Sequence, residues 1–361
     1  MLEPPLGGGA GERCVKSGRP QAGFNAERSY DSSHPTSPPD HHHPPIPRTM
    51  NPAFSVIFLT TLIGAGQGLF LALYAAELGA FGVVPAGDLR AFMLVGSALA
   101  LALSGLGLFA SFFHLGHPLR AWRSAAMWRT SWLSREVIVL PVFMAGVFAY
   151  GVAHGLRLPV TVPLGALVVV VCIALFVCTA MIYASIRFLQ EWASPLTLAN
   201  YLLLGCASGL TLATALAAAT ADGLVHTSAA AAALVTLAAF ASRAASLRRN
   251  ALLAPRSTLQ SATGIKHPRI TQTAQGFMGG SFNTREFFHG RGPRVLRSLK
   301  WVFIAAVFAL PLALLAAGAA TSSHLVLTSA FAVQYAGMLV ERWFFFAQAN
   351  HPQNLYYQAI S

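Results

Sequence analysis

Long runs of apolar, uncharged residues restrict the fold of this chain more than any other feature. A helix needs ~20 such residues to cross the ~30 Å hydrocarbon core of a bilayer. Eight runs approach that length, over residues 54–76, 91–113, 137–153, 162–184, 196–220, 223–242, 301–319 and 325–346. The third run is the shortest and needs the residues from Ser134 to Glu136 as its first turn.

Composition supports the same interpretation. The chain is 55% hydrophobic and 10% charged, whereas ~25% of the residues of a soluble domain are charged. The apolar runs are continuous rather than alternating, which excludes barrel strands. The sequence therefore predicts an all-α integral membrane protein with eight transmembrane helices, packed as two four-helix bundles.

The first 49 residues have a different composition from the rest. They contain GGG, HPTSPPD and DHHHPPIP and little apolar periodicity, so they cannot bury enough surface to fold alone. They also lack the apolar core of a secretory signal. We expect a disordered Pro/His-rich tail over 1–49, with Met50 as a candidate natural start. An eight-helix membrane domain should follow over 50–361, with a long basic loop at about 243–300.

Positive charge is distributed unevenly over the predicted loops. The loops after spans two, four and six carry sixteen Lys and Arg residues, and the opposite loops carry only Arg90 and Arg157. By the positive-inside rule, both termini should be cytoplasmic, in the inner membrane of a bacterium. The net charge of +12 is then explained by contact with the anionic lipid surface, and no nucleic-acid partner is expected.

The segments SFFHLGHPLRAW and SWLSREV place ionisable residues where two spans end and begin. His114 ends span two and Glu136 begins span three, while Arg120 and Arg135 lie between them. Gly116 is expected to help stop the second helix. Ionisable groups at the edge of hydrocarbon are costly unless they have partners or a task. This face is therefore the first place to look for chemistry.

Such a cluster suits a lipid-soluble redox carrier, whose head group gains or loses protons at the membrane edge. A histidine can exchange a proton with a quinol hydroxyl, and a carboxylate can pass it to water. An arginine can stabilise a developing quinolate. A structural alternative stays open, because His114 can be a helix cap. Ser134 with Glu136 can likewise be an N-cap with an acidic residue that the helix dipole favours.

Other polar residues also have two interpretations. Gln67 in span one can bind a ligand or form a hydrogen bond between helices. Arg342 can belong to a site, form an ion pair with Glu341, or extend towards the interface. Arg123 and Arg129 are expected to contact lipid headgroups.

Neither haem nor a metal ion is expected in this chain. A haem in a bilayer usually needs histidines that face each other within the hydrocarbon, but His114, His154, His226 and His324 lie at predicted span ends. The spacing between Cys172 and Cys178 matches no metal-ligand pattern. Electrons from a bound quinol would therefore have to leave to a partner subunit.

The segments FASFFHLGHPLRAW, SWLSREV and ERWFFF resemble the membrane anchor subunit of dimethyl sulfoxide reductase, within the wider superfamily that includes polysulfide reductase membrane subunits. The resemblance runs from Met50 to about Gln353. It implies a complex of anaerobic respiration with a molybdopterin catalytic subunit and a ferredoxin-like subunit that holds 4Fe–4S clusters. The anchor in such a complex oxidises menaquinol or ubiquinol and passes the electrons to the iron–sulfur subunit.

The resemblance also implies site residues. The family's quinol-site histidine falls on His114, its helix-breaking glycine on Gly116, its arginine on Arg120 and its essential carboxylate on Glu136. We expect His114, Glu136 and Arg120 to carry the proton chemistry. The candidate quinol-binding set also includes Arg135, Gln67 and Arg342.

Several alternatives remain. An anchor of polysulfide, tetrathionate or nitrite reductase type, working towards quinone, belongs to the same superfamily. A small-solute transporter would instead need polar sites and broken helices near the midplane. A passive scaffold would bind no quinone. The terminal substrate, the quinone type and the movement of net charge across the membrane stay open.

Overall fold

The computed structural model describes residues 54–114, 118–254, 256, 258–271 and 293–349. The predicted tail over 1–49 lies outside the described residues, which form helices and turns and contain no strand. The α-helices are α1 (Phe54–Glu77), α2 (Ala86–Ser111), α3 (Trp132–Gly155), α4 (Thr161–Ala184), α5 (Pro195–Thr220), α6 (Val225–Ala251), α7 (Leu259–Thr263), α8 (Pro293–Ile304), α9 (Leu310–Thr321) and α10 (His324–Ala347). Short 3-10 segments cover Phe112–His114, Pro118–Met127 and Asp222–Leu224, and the π-helical segment Ala305–Ala309 joins α8 to α9.

Among the described residues, seven helical segments are long and apolar enough to cross a bilayer. They comprise α1 to α5, the segment Asp222–Ala251 and the segment Arg297–Thr321. Helix α10 has the length of a span, but Gln334, Glu341 and Arg342 lower its hydropathy. The described residues are thus all-helical with seven candidate spans, as expected of an all-α membrane protein. Eight spans in two four-helix bundles stay a prediction.

Helices α1 and α5 form the centre of the molecule. In their most apolar stretches 72% and 67% of the residues are buried, against 28% to 44% in the other five candidate spans. The pairs Gly64 with Gly68 and Gly205 with Gly209 let the two helices meet backbone to backbone. A Cβ on Gly209 would overlap the backbone of Gly68. Small residues four apart permit such close contact, which drives helix association in lipid.

The start of α3 differs from the predicted one. The helix begins at Trp132, and the hydroxyl of Ser131 accepts a hydrogen bond from the backbone N–H of Ser134 at 3.4 Å. Ser131 is therefore the N-cap, and the prediction of Ser134 as the cap is wrong. This shift places Glu136 in the second turn, where its side chain turns into the bundle rather than towards the helix dipole.

The long loop is shorter than the predicted 243–300. Helix α6 continues to Ala251 and α8 begins at Pro293. The prediction ended the helix at the first charge, Arg243, but this arginine is 1% exposed and has an acidic partner inside the bundle. A charge that is paired inside the protein does not end a helix.

The π-helical segment follows from a proline. Pro311 has no N–H to donate to the carbonyl of Val307, four residues earlier. The side-chain amide of Gln334 on α10 donates to this carbonyl instead, at 3.2 Å. The bond ties α10 to the seventh candidate span.

Two opposite ends of the bundle carry polar clusters. Because successive spans are antiparallel, one end collects the starts of α1, α3 and α5 and the ends of α2, α4, α6 and α10. We call it the Glu136 end. The other collects the end of α1 and of α3 and the starts of α2 and α4, and we call it the Glu77 end.

Candidate functional site

A small internal cavity near the Glu136 end brings three of the predicted site residues together. Gln67 from α1, Glu136 from α3 and Arg342 from α10 all line it. The remaining walls come mainly from α1, α4 and α5, with Thr179 and Tyr201 as polar members. The cavity has room for about one water molecule.

Glu136 is 6% exposed, and its one hydrogen bond among the described residues comes from the hydroxyl of Thr179. Ionising a carboxylate away from water costs much free energy unless charges and hydrogen bonds compensate it. A single neutral donor compensates only in part. Burial and a single neutral donor thus favour a carboxyl that can take up a proton, and its part in a reaction stays a prediction.

Arg342 supplies the cation of the cavity. It is 3% exposed, and its guanidinium lies 3.8 Å from the centre of the Tyr201 ring. Its Nε is 4.0 Å from Oε2 of Glu341. A cation over an aromatic face is stabilised electrostatically, more so when it is desolvated. Tyr201 and Glu341 thus hold the guanidinium at the edge of the cavity.

The charged cluster continues away from the cavity through Glu341 to Arg243. Oε1 of Glu341 is 2.8 Å from Nε of Arg243, and both side chains are 2% exposed. The guanidinium of Arg243 also lies 5.5 Å from the ring centre of Phe303. Two acids and two arginines are therefore buried together at this end, which no apolar packing requirement explains.

Several polar atoms of this cluster have no hydrogen-bond partner among the described residues. They are the hydroxyl of Tyr201, Nε of Arg342, Oε2 of Glu341 and Nη2 of Arg243. Buried polar atoms are nearly always satisfied, and exceptions indicate function or an unseen water. The cluster therefore has hydrogen-bonding capacity left for a further polar partner.

Gln67 has a structural partner as well as a place in the cavity. Its amide nitrogen donates to the carbonyl of Cys172 on α4 at 2.9 Å. The side chain is 2% exposed. This bond between helices is one of the two predicted roles, and it fixes the amide at the cavity wall.

Arg135 and Arg120 lie outside the cavity lining. Arg135 donates to the carbonyls of Trp128 and Arg129 at 2.9 and 2.8 Å, and its guanidinium stacks 4.2 Å from the Trp132 ring centre. It braces the loop that leads into α3. Arg120 is exposed in the segment Pro118–Met127. The structure thus separates these two arginines from Glu136.

His114 ends the 3-10 turn Phe112–His114, which packs on α1 and α2. Its backbone therefore lies at the Glu136 end, and its side chain is not among the described groups. Gly116 lies outside the described residues. The predicted roles of His114 and Gly116 stay predictions.

Sequence analysis did not predict that four residues of this cluster lie together, namely Thr179, Tyr201, Arg243 and Glu341. Thr179 and Tyr201 looked like ordinary span residues, and Arg243 was counted as a loop charge. The available signal was the sequence SRAASLRRN, whose small residues continue the helix beyond Arg243. Glu341 was considered only with its neighbour Arg342, whereas its shorter contact is to Arg243.

The Glu77 end holds a different cluster. The hydroxyl of Tyr150 donates to Oε2 of Glu77 at 2.6 Å, and Nε2 of His154 lies 3.4 Å from Oε1. Arg90 donates to the carbonyls of His154 and Gly155 at the end of α3. These contacts join α1, α2 and α3, although Nε2 of His154 has no hydrogen-bond partner among the described residues.

No group of three or more His, Cys, Asp or Glu side chains with a metal-binding arrangement occurs among the described residues. His154, His226 and His324 lie at or near helix ends. The expectation of no haem and no metal stays a prediction.

Two comparisons with known proteins bear on the site. The model of a family described as DMSO reductase anchor subunit matches residues 50–357, which include every residue that lines the cavity. A sulfite dehydrogenase subunit from Allochromatium vinosum is 54% identical over 325 residues, which is 86% of this chain and 100% of that protein.

Proposed function

The chain belongs to the family of DMSO reductase anchor subunits, and from this membership we propose that it exchanges electrons and protons with a membrane quinone. The family is one of membrane subunits that anchor a catalytic oxidoreductase partner. Among the described residues, seven candidate spans agree with a multi-pass membrane protein.

One observation carries the proposal. Glu136, a buried carboxylate with one neutral hydrogen-bond donor, shares a cavity with Gln67 and Arg342 at the edge of the bundle. Quinone chemistry needs a group that exchanges protons within hydrocarbon and a cation that stabilises negative charge on a quinone oxygen. Glu136 and Arg342 are such groups.

The small size of the cavity limits where a quinone ring could bind. Room for about one water is too little for a quinone ring. We therefore assign the ring to the side of the cavity nearest the turn that ends at His114, with Glu136 exchanging its proton directly or through one water. His114 is the proposed second proton-exchange group, and Arg120 a surface residue beside the ring's approach.

We also propose that the electrons pass to or from a ferredoxin-like subunit with 4Fe–4S clusters, which in turn contacts a molybdopterin catalytic subunit. The docking face would be the Glu136 end, because a short transfer distance requires the nearest cluster to lie close to the quinone. Exposed Arg120, Arg123 and Arg129 provide a basic surface there. The subunit itself would hold neither haem nor metal, and a Soret band that stays with the purified chain would contradict this.

The relative favours one direction of electron flow. A sulfite dehydrogenase removes two electrons from its substrate, and a membrane subunit would deliver them to quinone. The identity of 54% over the whole of that protein favours the same role here. The balanced half-reaction at the proposed site is quinone plus two electrons plus two protons, giving quinol. Menaquinone and ubiquinone both satisfy it.

The family description supports a second candidate, a DMSO reductase anchor in which quinol is oxidised and two protons are released. Membranes that contain the complete complex distinguish the two. We expect sulfite to reduce added quinone, and this activity should disappear when the chain is deleted and return when it is restored. Quinol oxidation by DMSO without sulfite activity would favour the second candidate. If an assembled complex shows neither activity, the proposal of quinone exchange is contradicted.

The orientation is part of the proposal. Both termini are placed in the cytoplasm of a bacterium, on the evidence of the basic loops at the Glu136 end. A reporter fused after Ser361 should be active on the cytoplasmic side, and a periplasmic signal would reverse the docking face.

A further inference from the structure

A groove between α6 and α8 lies outside the cavity described above. It has a volume of about 330 Å³, at the small end of the range for ligand pockets. Its apolar walls include Phe240, Leu247, Ile304 and Phe308. The rings of Phe240 and Phe308 are 5.2 Å apart across it. We call it the α6–α8 groove.

Three cations line this apolar groove. Arg243 forms part of its wall, and Arg248 and Lys300 lie among its other lining residues. Arg248 is exposed and Lys300 is half-buried. Neither has an acidic partner within salt-bridge distance among the described residues. An apolar groove with three cations and no acid in its lining favours a ligand that is both apolar and anionic.

Arg243 provides the second, independent observation. Its side chain is 2% exposed, and its Nε lies 2.8 Å from Glu341. Its Nη2 has no hydrogen-bond partner among the described residues. Because a buried guanidinium that is incompletely satisfied is costly, a negative charge in the groove would lower the free energy of this arrangement through electrostatic attraction.

An exposed tryptophan indicates the depth of the groove in the membrane. Trp301 lines it and is 64% exposed, and the ammonium of Lys300 is 5.9 Å from the centre of this ring. Tryptophan is enriched where hydrocarbon meets headgroups. The cations therefore sit at headgroup level, and the phenylalanines continue towards the membrane interior.

We propose that the α6–α8 groove binds an anionic glycerophospholipid. Its phosphate contacts Arg248 and Lys300, with the buried charge of Arg243 beneath them, while an acyl chain follows Phe240 and Phe308. Basic pockets between membrane helices bind such headgroups. A quinone would fill the apolar part equally well, but its neutral ring leaves the cations without a counter-charge. This site is independent of the function proposed above.

The test uses the full chain, purified with the subunits that accompany it, and native mass spectrometry with added phosphatidylglycerol or phosphatidylcholine. We expect phosphatidylglycerol to be retained preferentially. Each basic residue near the lipid contributes roughly fivefold, so the double variant R248Q/K300Q should bind phosphatidylglycerol about 25-fold more weakly. R187Q removes an exposed arginine at the same end that does not line the groove, and it should bind as the parent does.

A second variant tests the apolar part without changing charge. Ala244 lines the groove and is half-buried, so A244W should fill the space of the acyl chain and reduce phosphatidylglycerol retention. Equal binding of the two lipids by the parent protein would overturn the proposal. So would undiminished retention in R248Q/K300Q, the recovery of quinone as the bound species, or a cross-link that shows residues 272–292 in the groove.

Discussion

Two buried carboxylates at opposite ends of the bundle differ in how completely they are partnered. At one end, Oε2 of Glu77 accepts from Tyr150 at 2.6 Å and Oε1 lies 3.4 Å from His154. At the other, Glu136 has a single hydrogen bond, from Thr179, beside a cavity that also holds Arg342. A carboxylate with a partner for each oxygen stabilises a helix contact. A carboxylate with unused hydrogen-bonding capacity can take up a proton or bind a ligand.

The same contrast extends to the neighbours of each acid. At the Glu77 end, Arg90 satisfies two backbone carbonyls at the end of α3. At the Glu136 end, Tyr201, Glu341 and Arg342 each keep a polar atom without a hydrogen-bond partner among the described residues. Burial alone therefore does not identify a site in this fold. Nε2 of His154 at the Glu77 end also lacks a hydrogen-bond partner among the described residues, so the two ends differ in the degree of satisfaction.

The largest expected effect separates the two acids directly. Glu136→Gln keeps the size of the side chain and removes the exchangeable proton, so quinone-coupled turnover should fall ~100-fold or more, within the range of general acid–base contributions. Glu77→Gln is the matched control and should keep turnover within about threefold. Turnover is measured per assembled complex in membranes. Equal losses in the two variants would remove the distinction between the ends.

Next in size is the loss of a buried charge partner. Arg243→Met leaves Glu341 without its 2.8 Å ion pair, which should destabilise the protein by ~3–5 kcal/mol. Thermal unfolding in detergent measures the loss. The double variant Arg243→Met with Glu341→Leu should recover part of it, because Glu341 is no longer left unpaired, while Arg342 then loses its acidic neighbour. A double variant less stable than Arg243→Met alone would show that Glu341 is held by other groups.

A smaller effect is expected at the Glu77 end. Tyr150→Phe removes the hydrogen bond to Glu77 and leaves the ring packed on Phe70, at a cost of ~1–3 kcal/mol. The melting temperature should fall while turnover per assembled complex stays unchanged. A tenfold loss of turnover at full assembly would give this end a part in the reaction.

The smallest effect concerns Arg135. Since this half-buried arginine braces a loop and does not line the cavity, Arg135→Gln should cost under ~1 kcal/mol and change turnover less than about twofold. The Michaelis constant for quinone is the informative measurement. A large rise in it would return Arg135 to the binding set that the sequence predicted.

Particular residues show what the sequence could and could not predict. Runs of apolar residues predicted the helices closely, because a continuous apolar segment in hydrocarbon must satisfy its backbone hydrogen bonds internally, as a helix does. The motif also put Glu136, Arg342 and Gln67 in one candidate binding set, and the structure places all three at one cavity. The distances between these three side chains depend on the crossing of α1 and α5 at Gly68 and Gly209. Two helices far apart in sequence form this crossing, so neither helix alone predicts it.

Arg243 shows the limit most clearly. A charged residue after twenty apolar residues usually indicates the start of a loop. Arg243 is buried instead, because the carboxylate of Glu341 on α10 compensates its charge. Ser131 replaced Ser134 as the cap of α3 for a local reason, the extended backbone before Trp132. The roles of His114 and Gly116 still depend on the motif, since neither side chain is described.

The central claim is that Glu136 changes its protonation with the redox state of the quinone, whereas Glu77 does not. Infrared difference spectroscopy of the complex, between the oxidised and reduced quinone states, measures this directly. We expect a carboxylic C=O band in the difference spectrum that is lost in Glu136→Gln and kept in Glu77→Gln. A band that persists in Glu136→Gln would contradict the assignment of the proton-exchange group.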